Sequence, residues 1–265
     1  MNAPLTIAAE APGLLPRFGR TLTSLPVSYI EAAPGSVPHV MLVSGEGEWT
    51  RRAADAIGQG CRAVIVSDPG MASADRIMAL ADLAECNGAI VEFAEPYAGD
   101  STLLHHRRDI AQHLLAVSSI IVTQTGLFES AASAALQMVR TLRALGQAPL
   151  ITSLWMTGHA AMMCGTSGAI LIEGLAISAS AGLGQRIEAL GFGRTLRLTL
   201  HGDESARPAD FRIANMKGER KLPGIYQSAD RAAWQRVLAG IGSDMPDTVR
   251  LQQFAEDAAM IGRLC

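Results

Sequence analysis

The sequence predicts an α/β protein in which a short parallel-sheet domain precedes an α+β domain with a large, mostly antiparallel sheet. Two observations indicate this class. In the first part of the chain, short apolar runs alternate with helical patterns, which is typical of βαβ units. Beyond residue 148, four strand-like runs follow one another with no helix between them, which favours antiparallel pairing. We place the boundary in the loop 95–100, so the expected domains are 1–98 and 99–265, with a terminal helix that can pack back on the first domain.

The individual elements follow from hydrophobic spacing and turn residues. In the first domain we expect strands at 5–9, 27–32, 37–43, 61–66 and 89–93, and helices at 50–58 and 72–86. In the second domain we expect helices at 102–115, 129–145, 229–241 and 247–264, and strands at 118–123, 149–157, 169–179, 186–190 and 195–201.

Composition and charge exclude several classes of protein. Of the 265 residues, 49% are hydrophobic and 18% are charged, so the chain can bury a core and is not disordered. The 22 basic and 25 acidic side chains leave a net charge of −3. Because this charge gives no overall attraction for polyanions, we expect neither a nucleic acid nor a membrane as partner.

Cysteine spacing and hydropathy indicate a cytoplasmic protein. The four cysteines form no C-x-x-C pair, which argues against a structural zinc site and for reduced thiols. The amino terminus lacks a basic segment followed by an apolar one, so we expect no secretory signal. The most apolar segment, 168–181, contains Glu173 and is shorter than the ~18 residues that a membrane-spanning helix needs.

Several local patterns in this order resemble one known family. They are a strand followed by a Ser-Asp-Pro tripeptide within 59–69, two strand-like runs at 167–182 and 185–198, and a helix that opens at 231–234. Together they resemble the glucose-fructose oxidoreductase, inositol dehydrogenase and MocA (Gfo/Idh/MocA) family, over roughly residues 37–264. The resemblance implies a Rossmann-like domain, shortened here at its nucleotide-binding half, and an activity on sugars, cyclitols or aromatic metabolites that depends on NAD or NADP.

The residues that would bind the dinucleotide depart from the family pattern. A pyrophosphate cradle needs glycines, because the backbone must approach the phosphates closely at a helix amino terminus. Here the first strand leads into Glu10 and a single glycine, Gly13, so a carboxylate stands where phosphate should lie. Gly13, Ser44, Gly45 and Pro69 remain as weak candidates for cofactor contacts. We therefore expect no cofactor, or NAD or NADP if the protein is active.

A short glycine loop could bind phosphate, and two further positions match catalytic residues of the family. Gly45, Glu46 and Gly47 allow a phosphate loop, but acidic side chains before a helix favour an ordinary turn. Asp68 stands in Ser-Asp-Pro where the family has lysine, and an aspartate cannot stabilise a developing alkoxide as lysine does. The family's Asp-x-x-x-His pair aligns with Glu129 and Ser133, and serine cannot replace histidine as a general acid or base.

A histidine-rich segment forms another candidate site. His105, Asp109 and His113 recur at four-residue spacing, which allows a metal or anion site on one helix face, although a solvated helix face is the simpler interpretation. We expect no metal. The candidate catalytic residues are therefore Asp68, Glu129 and His105.

The second sheet carries residues suited to a subunit interface. Trp155, Met156, Met162 and Met163 lie on or beside its strands, and Glu173 interrupts an apolar strand, where it is either outward-facing, paired across an interface or at the floor of a cleft. The family resemblance implies that this sheet packs against another subunit. We expect a homo-oligomer, or a hetero-oligomer with a catalytic homologue.

These departures favour an oxidoreductase fold with a degenerate active site, which is a pseudoenzyme or accessory subunit. Two alternatives stay open. In the first, the chain is an active NAD(P)-dependent oxidoreductase with atypical cofactor binding. In the second, it is a small-molecule binding protein.

Overall fold

A computed structural model describes residues 4–11, 13–25, 29–180, 183–202, 207–241 and 248–265. The chain forms two compact units. The first contains Met1–Glu95 together with Ala229–Ala258, and the second contains Pro96–Ser228 together with Ala259–Cys265. Both the amino-terminal part and most of the carboxyl-terminal helices therefore belong to the first unit.

The first unit contains a parallel sheet flanked by helices. Its described elements are β1 (Leu5–Ala9), α1 (Leu14–Thr23), β2 (Tyr29–Glu31), β3 (Val40–Ser44), α2 (Trp49–Gly58), β4 (Ala63–Ser67), α3 (Ala74–Asn87), β5 (Ile90–Ala94), α7 (Ala229–Ile241) and most of α8 (Val249–Gly262). The strand order is β2-β1-β3-β4-β5, and every pair is parallel. The predicted α/β class with a Rossmann-like first domain is confirmed.

The strand order reverses direction once, between β1 and β3. From β1 the chain goes outward to β2, and it then crosses back to β3 on the other side of β1 before it continues to β4 and β5. In open α/β sheets, ligands bind outside the carboxyl ends of the strands at such a switch point. The loops after β1 and β3 therefore flank the candidate binding crevice of the first unit.

Two aromatic groups hold helices onto this sheet. Trp234 on α7 contacts Phe18 and Tyr29 at centroid distances of 6.3 and 4.8 Å. Trp49 and Phe254 pack edge to face, and each also contacts Phe93. The carboxyl-terminal helices α7 and α8 thus complete the core of the first unit.

Buried charges add a second link between β5 and the last two helices. Glu92 accepts from Arg236 at 2.8 Å and lies 3.2 Å from Arg250, which also reaches Glu95 at 3.4 Å. Glu92 and Glu95 are both buried. Each carboxylate is compensated by arginine, as burial of a charge requires.

The second unit contains α4 (Ser101–His105), α5 (Arg107–Leu114), β6 (Ser119–Gly126), α6 (Ala131–Ala144) and seven further strands. These strands are β7 (Leu150–Met156), β8 (Ala160–Ser167), β9 (Ile170–Ser178), β10 (Gly184–Gly191), β11 (Arg194–His201), β12 (Asp210–Asn215) and β13 (Gly218–Lys221). The sheet order among the described residues is β13-β12-β11-β10-β6-β9-β8-β7. Within the described part of this sheet, β6 and β9 are the only strands that pair in parallel, so the predicted large, mostly antiparallel sheet is confirmed.

Helix α6 packs against β6, β8 and β9 and covers one face of this sheet. Met163 points to the covered face and is buried, whereas Trp155, Met156 and Met162 are exposed. Glu173 is exposed too, opposite Cys164 and Ile121 on the uncovered side. Glu173 therefore faces away from α6, which fits both an outward-facing side chain and one paired across an interface.

Several elements differ from the sequence-based prediction. The predicted helix 102–115 breaks at His106, whose buried side chain bonds to the Pro223 carbonyl with Nε2 2.8 Å away. Helix α1 and strands β8, β12 and β13 were not predicted. Gly19 weakens the helical pattern of α1, β8 is rich in Ala and Met, and β13 is polar and exposed throughout. Pairing with neighbouring strands, not local propensity, forms β8 and β13.

No helix within the described ranges is both long and apolar enough to cross a membrane. The same ranges contain no group of three or more His, Cys, Asp or Glu side chains placed to hold a metal ion.

We predict that Glu92→Ala lowers the free energy of unfolding by about 2 kcal/mol, because Arg236 and Arg250 would stay partly buried without the carboxylate that they share. Urea denaturation followed by circular dichroism measures the change. Asp82→Ala, which removes an exposed carboxylate on α3, is the control and should change stability by less than about 0.5 kcal/mol. Equal losses in the two variants would contradict a stabilising role for this charge network.

Candidate functional site

The candidate site lies at the carboxyl ends of β1 and β3, at the switch point of the first unit. Glu10 follows β1 directly, and its backbone N–H donates to the Leu42 carbonyl of β3 at 2.9 Å. Ser44 ends β3, and Gly45 follows it. The parallel pairing of β1 with β3 therefore brings Glu10 beside the β3–α2 loop.

An ion pair occupies this position. Arg52 on α2 places Nε 2.5 Å from Oε1 of Glu10. The same guanidinium donates through Nη2 to the carbonyls of Ser44 at 3.0 Å and Glu46 at 2.5 Å. Both side chains are about one quarter exposed, at 24% and 29%. Arg52 thus ties the end of β1 to the loop after β3.

The helix that would face a pyrophosphate is α1. Gly13 caps it with φ of −74°, and its side-chain position has open space around it. A backbone angle in this range suits any residue, so the fold itself does not require glycine at this position. The cap provides no side-chain hydrogen bond.

Acidic side chains surround the amino terminus of α2 as well. Glu48 is its cap residue and accepts from Arg76 at 2.6 and 2.7 Å. The hydrogen bond and charge of Arg76 lower the pKa of Glu48, which keeps this carboxylate ionised. Together with Glu46, it makes this helix end a poor place for an anion, which favours the ordinary-turn interpretation of the 45–47 loop.

Glycine is required at position 45 because two loops pack closely together there. Its N–H donates to the Ser67 carbonyl at 2.6 Å, and its carbonyl accepts from Gly70 at 2.9 Å. A β-carbon at position 45 would collide with the carbonyl of Asp68 and lie 2.5 Å from the Cα of Pro69. The structure therefore brings Ser44, Gly45, Asp68 and Pro69 together, but as a packed pair of loops.

Asp68 has an unusual backbone. Its φ of +50° makes it the one non-glycine residue in the described part of the chain with a positive φ. Its N–H donates to the Ala94 carbonyl at 3.1 Å, and the Ser67 hydroxyl lies 3.4 Å from its Oδ2. The left-handed conformation costs an aspartate about 1 kcal/mol. The two neighbouring strands hold the residue in this conformation.

Glu129 and His105 lie in the second unit. Glu129 is exposed in the loop before α6. Ser133 is buried, and its hydroxyl is 2.9 Å from that of Ser130, which caps α6 and accepts from the Ser133 N–H at 3.0 Å. The backbone N–H of Ser133 is thus capped by Ser130, and its hydroxyl contacts that of the same cap residue.

The helix break at His106 separates the predicted histidine cluster. His105 ends α4, whereas Asp109 and His113 belong to α5, so the three do not lie on one continuous helix face. Asp109 approaches His106 instead, with Oδ2 3.6 Å from Nδ1. Burial lowers the pKa of His113, which favours its neutral form.

Sequence reasoning overlooked Glu31, which ends β2. In a dinucleotide-binding half, an acidic residue about 20 positions after the first strand binds the adenosine ribose. Glu31 is exposed at the corresponding strand end. Its position at the end of the second strand could have identified Glu31. The predicted strand 27–32 extended beyond this residue, so Glu31 was not recognised as a strand end.

No protein-family model and no curated protein matches the sequence. Solved structures do match. UDP-N-acetylglucosamine 3-dehydrogenase GnnA from Acidithiobacillus ferrooxidans gives a TM-score of 0.74 at 12% identity, over 99% of this chain and 98% of that chain. The 3-ketoreductase KijD10 from Actinomadura kijaniata, in complex with TDP-benzene and NADP, gives 0.71 at 12% identity over 98% and 95%.

A dehydrogenase, MviM, from Clostridium difficile gives a TM-score of 0.63 at 10% identity, over 96% of this chain and 98% of that one. These neighbours are Gfo/Idh/MocA-type oxidoreductases, and identities this low show a shared fold alone. The chain has the fold of that group of oxidoreductases.

Proposed function

We propose that the protein is a non-catalytic subunit with an oxidoreductase fold, which does not carry out the hydride transfer of its structural neighbours. The ion pair between Glu10 and Arg52 at the switch point is the observation that carries this proposal.

A dinucleotide pyrophosphate would have to lie next to the Glu10 carboxylate. Two negative groups in contact repel each other, and this cost is larger where the side chains are partly withdrawn from water. Arg52 would have to compensate, but its guanidinium already contacts Glu10 and two backbone carbonyls. Binding would therefore require breaking these contacts first.

Two further positions support the proposal. Asp68 stands where the family resemblance calls for lysine, and it supplies a negative charge where a reacting oxygen needs a positive one. Ser133 stands where the resemblance calls for histidine, and it is engaged in the cap of α6. Dinucleotide binding and proton transfer are thus both disfavoured.

One observation favours the alternative of atypical cofactor binding. Glu31 offers a carboxylate at the end of β2, where a ribose hydroxyl would bind. If the dinucleotide binds through its adenosine, NAD is the cofactor that this carboxylate fits, because it would repel the 2′-phosphate of NADP, and Asp68, Glu129 and His105 are the candidates for catalysis.

The uncovered face of the second sheet supports a role as a subunit. Trp155, Met162 and Leu175 lie side by side across β7, β8 and β9, and Ile177 and Leu171 lie on the same face of β9, with Glu173 between Leu171 and Leu175. From strand spacing, the apolar half of the face covers roughly 500 Å². This is at the upper end of what monomers expose, so we propose that another subunit covers it.

The charged half of the same face suits the rim of such an interface. Arg186 bonds to Glu188, and Arg212 bonds to Asp210 and Glu219, across β10 to β13. The whole face measures roughly 900 Å², close to the ~800 Å² per partner of a standard interface. The proposed occupant is a subunit of the same fold, in the first instance a second copy of this chain.

We predict that the protein does not bind NAD⁺ or NADP⁺ in the micromolar range, and that Glu10→Ala raises the affinity about tenfold by removing the repulsion and releasing Arg52. Isothermal titration calorimetry measures both, and mass spectrometry identifies any molecule that copurifies. Glu85→Ala, an exposed carboxylate of α3, is the charge-matched control.

Micromolar binding of either dinucleotide by the unmodified protein would contradict this proposal and favour the active-enzyme alternative. If a sugar or aromatic acid copurifies instead, the protein is a small-molecule binder.

We predict that Trp155→Asp reduces the molar mass measured by light scattering in solution, because it buries a charge in the apolar half of the interface. Val249→Asp, at an exposed valine of α8, is the matched control and should leave the mass unchanged. The proposed interface would be contradicted if the protein is a monomer that also fails to bind a catalytic homologue. It would also be contradicted if the protein is an oligomer whose mass Trp155→Asp does not change.

A further inference from the structure

Three large apolar side chains stand out at one end of the second sheet. Phe192 is 98% exposed, and Leu115 and Met216 are each 87% exposed. No other large apolar side chain in the described residues is as exposed as these three. They lie outside the apolar half of the open face, which is formed by β7, β8 and β9.

The strand pairing brings these side chains together. Phe192 lies in the turn between β10 and β11, and Met216 in the turn between β12 and β13. Because Arg194 pairs with Asn215, both turns lie at the same end of the sheet, and a β-carbon at Gly193 would lie 3.2 Å from Cγ of Met216.

The loop that carries Leu115 joins the same end. The Ser118 N–H donates to the Leu190 carbonyl at 2.8 Å, and Gly191 packs against the carbonyl of Ala116. The α5–β6 loop therefore lies against the β10–β11 turn. We call Leu115, Phe192 and Met216 the apolar tip.

Turn geometry does not explain the apolar tip. Tight turns favour Gly, Asn, Asp and Ser for their backbone and hydrogen-bonding properties. Gly193, with φ of +67°, already supplies the positive φ in the β10–β11 turn, so Phe192 beside it is not needed for the turn. Holding these side chains in water is unfavourable by the same hydrophobic effect that buries others.

Cations accompany the apolar tip. The segments 113–119, 190–195 and 213–220 contain Arg194, Lys217 and Arg220, and all three are exposed. The acidic side chain in these segments is Glu219, and it pairs with Arg212 at 3.1 Å. This end of the sheet is therefore positive, although the whole chain carries a net charge of −3.

We propose that the apolar tip docks the protein onto the surface of an anionic lipid bilayer. Apolar side chains in front and cations just behind them match the order of acyl chains and phosphates at such a surface. The three side chains stand on separate loops, which suits insertion into a fluid interface better than packing into a rigid protein pocket. This proposal is independent of the proposed subunit role, which uses the open face.

Cosedimentation with lipid vesicles tests this inference on the full chain. Vesicles of phosphatidylcholine with phosphatidylglycerol should bind the protein at low salt, and vesicles of phosphatidylcholine alone should bind it much less. High salt should weaken the binding, because it screens Arg194, Lys217 and Arg220. Phe192→Ser combined with Met216→Ser should lower the partition coefficient by about tenfold for each side chain removed.

Leu127→Ser is the matched control, because Leu127 is an exposed apolar residue in the loop after β6, at the opposite end of the same sheet. It should leave the partition coefficient unchanged. Absent binding to anionic vesicles, or binding that the double variant does not weaken, would overturn the proposal. If vesicles are not bound but the double variant lowers the molar mass in solution, the apolar tip is a contact between protein chains and the membrane proposal is wrong.

Discussion

The contact between Glu10 and Arg52 is the constraint on which the account of the first unit depends. In a parallel α/β sheet, the loops diverge at the switch point and leave a crevice at the carboxyl ends of the strands. Here the first residue after β1 and a side chain of α2 meet across that crevice. Helix α2 is itself fixed, since the Trp49 indole donates to the Gly70 carbonyl at 3.1 Å and the Gly45 loop packs against Asp68 and Pro69. The charge arrangement is therefore built into the packing of the loops.

The second unit has a different kind of surface. Its hydrophobic core lies on the α6 side of the sheet, and the other side carries an apolar half and a charged half. Cross-strand neighbours such as Met162 and Leu175 form a continuous patch because side chains on alternate positions share one face. Folding of this unit leaves that patch uncovered, which is the observation behind the proposed association with another subunit. Under that proposal, a subunit without its own chemistry could still stabilise a partner through this face.

Much of the fold could be predicted from the sequence, because buried parallel strands are continuous apolar runs and the helices between them show apolar residues at three- and four-residue spacing. Strand β1 and helix α7 were placed at their observed bounds, and both sheets were assigned to the right class. The break at His106 could not be predicted, since it depends on a hydrogen bond to Pro223, which is distant in sequence. For the site, the sequence predicts the Glu10 carboxylate where a phosphate would lie, but it does not reveal the partner Arg52. That pairing depends on the register of β1 against β3, which no local pattern reveals.

The central claim is that Glu10 excludes the dinucleotide by holding Arg52. The most direct measurement is the affinity for NAD⁺ of Glu10→Ala compared with that of Glu10→Ala combined with Arg52→Ala. The account predicts a smaller gain in affinity in the double variant, because the released guanidinium is one of the groups that would bind phosphate. An equal gain in both variants would contradict it, since Glu10 would then act without Arg52.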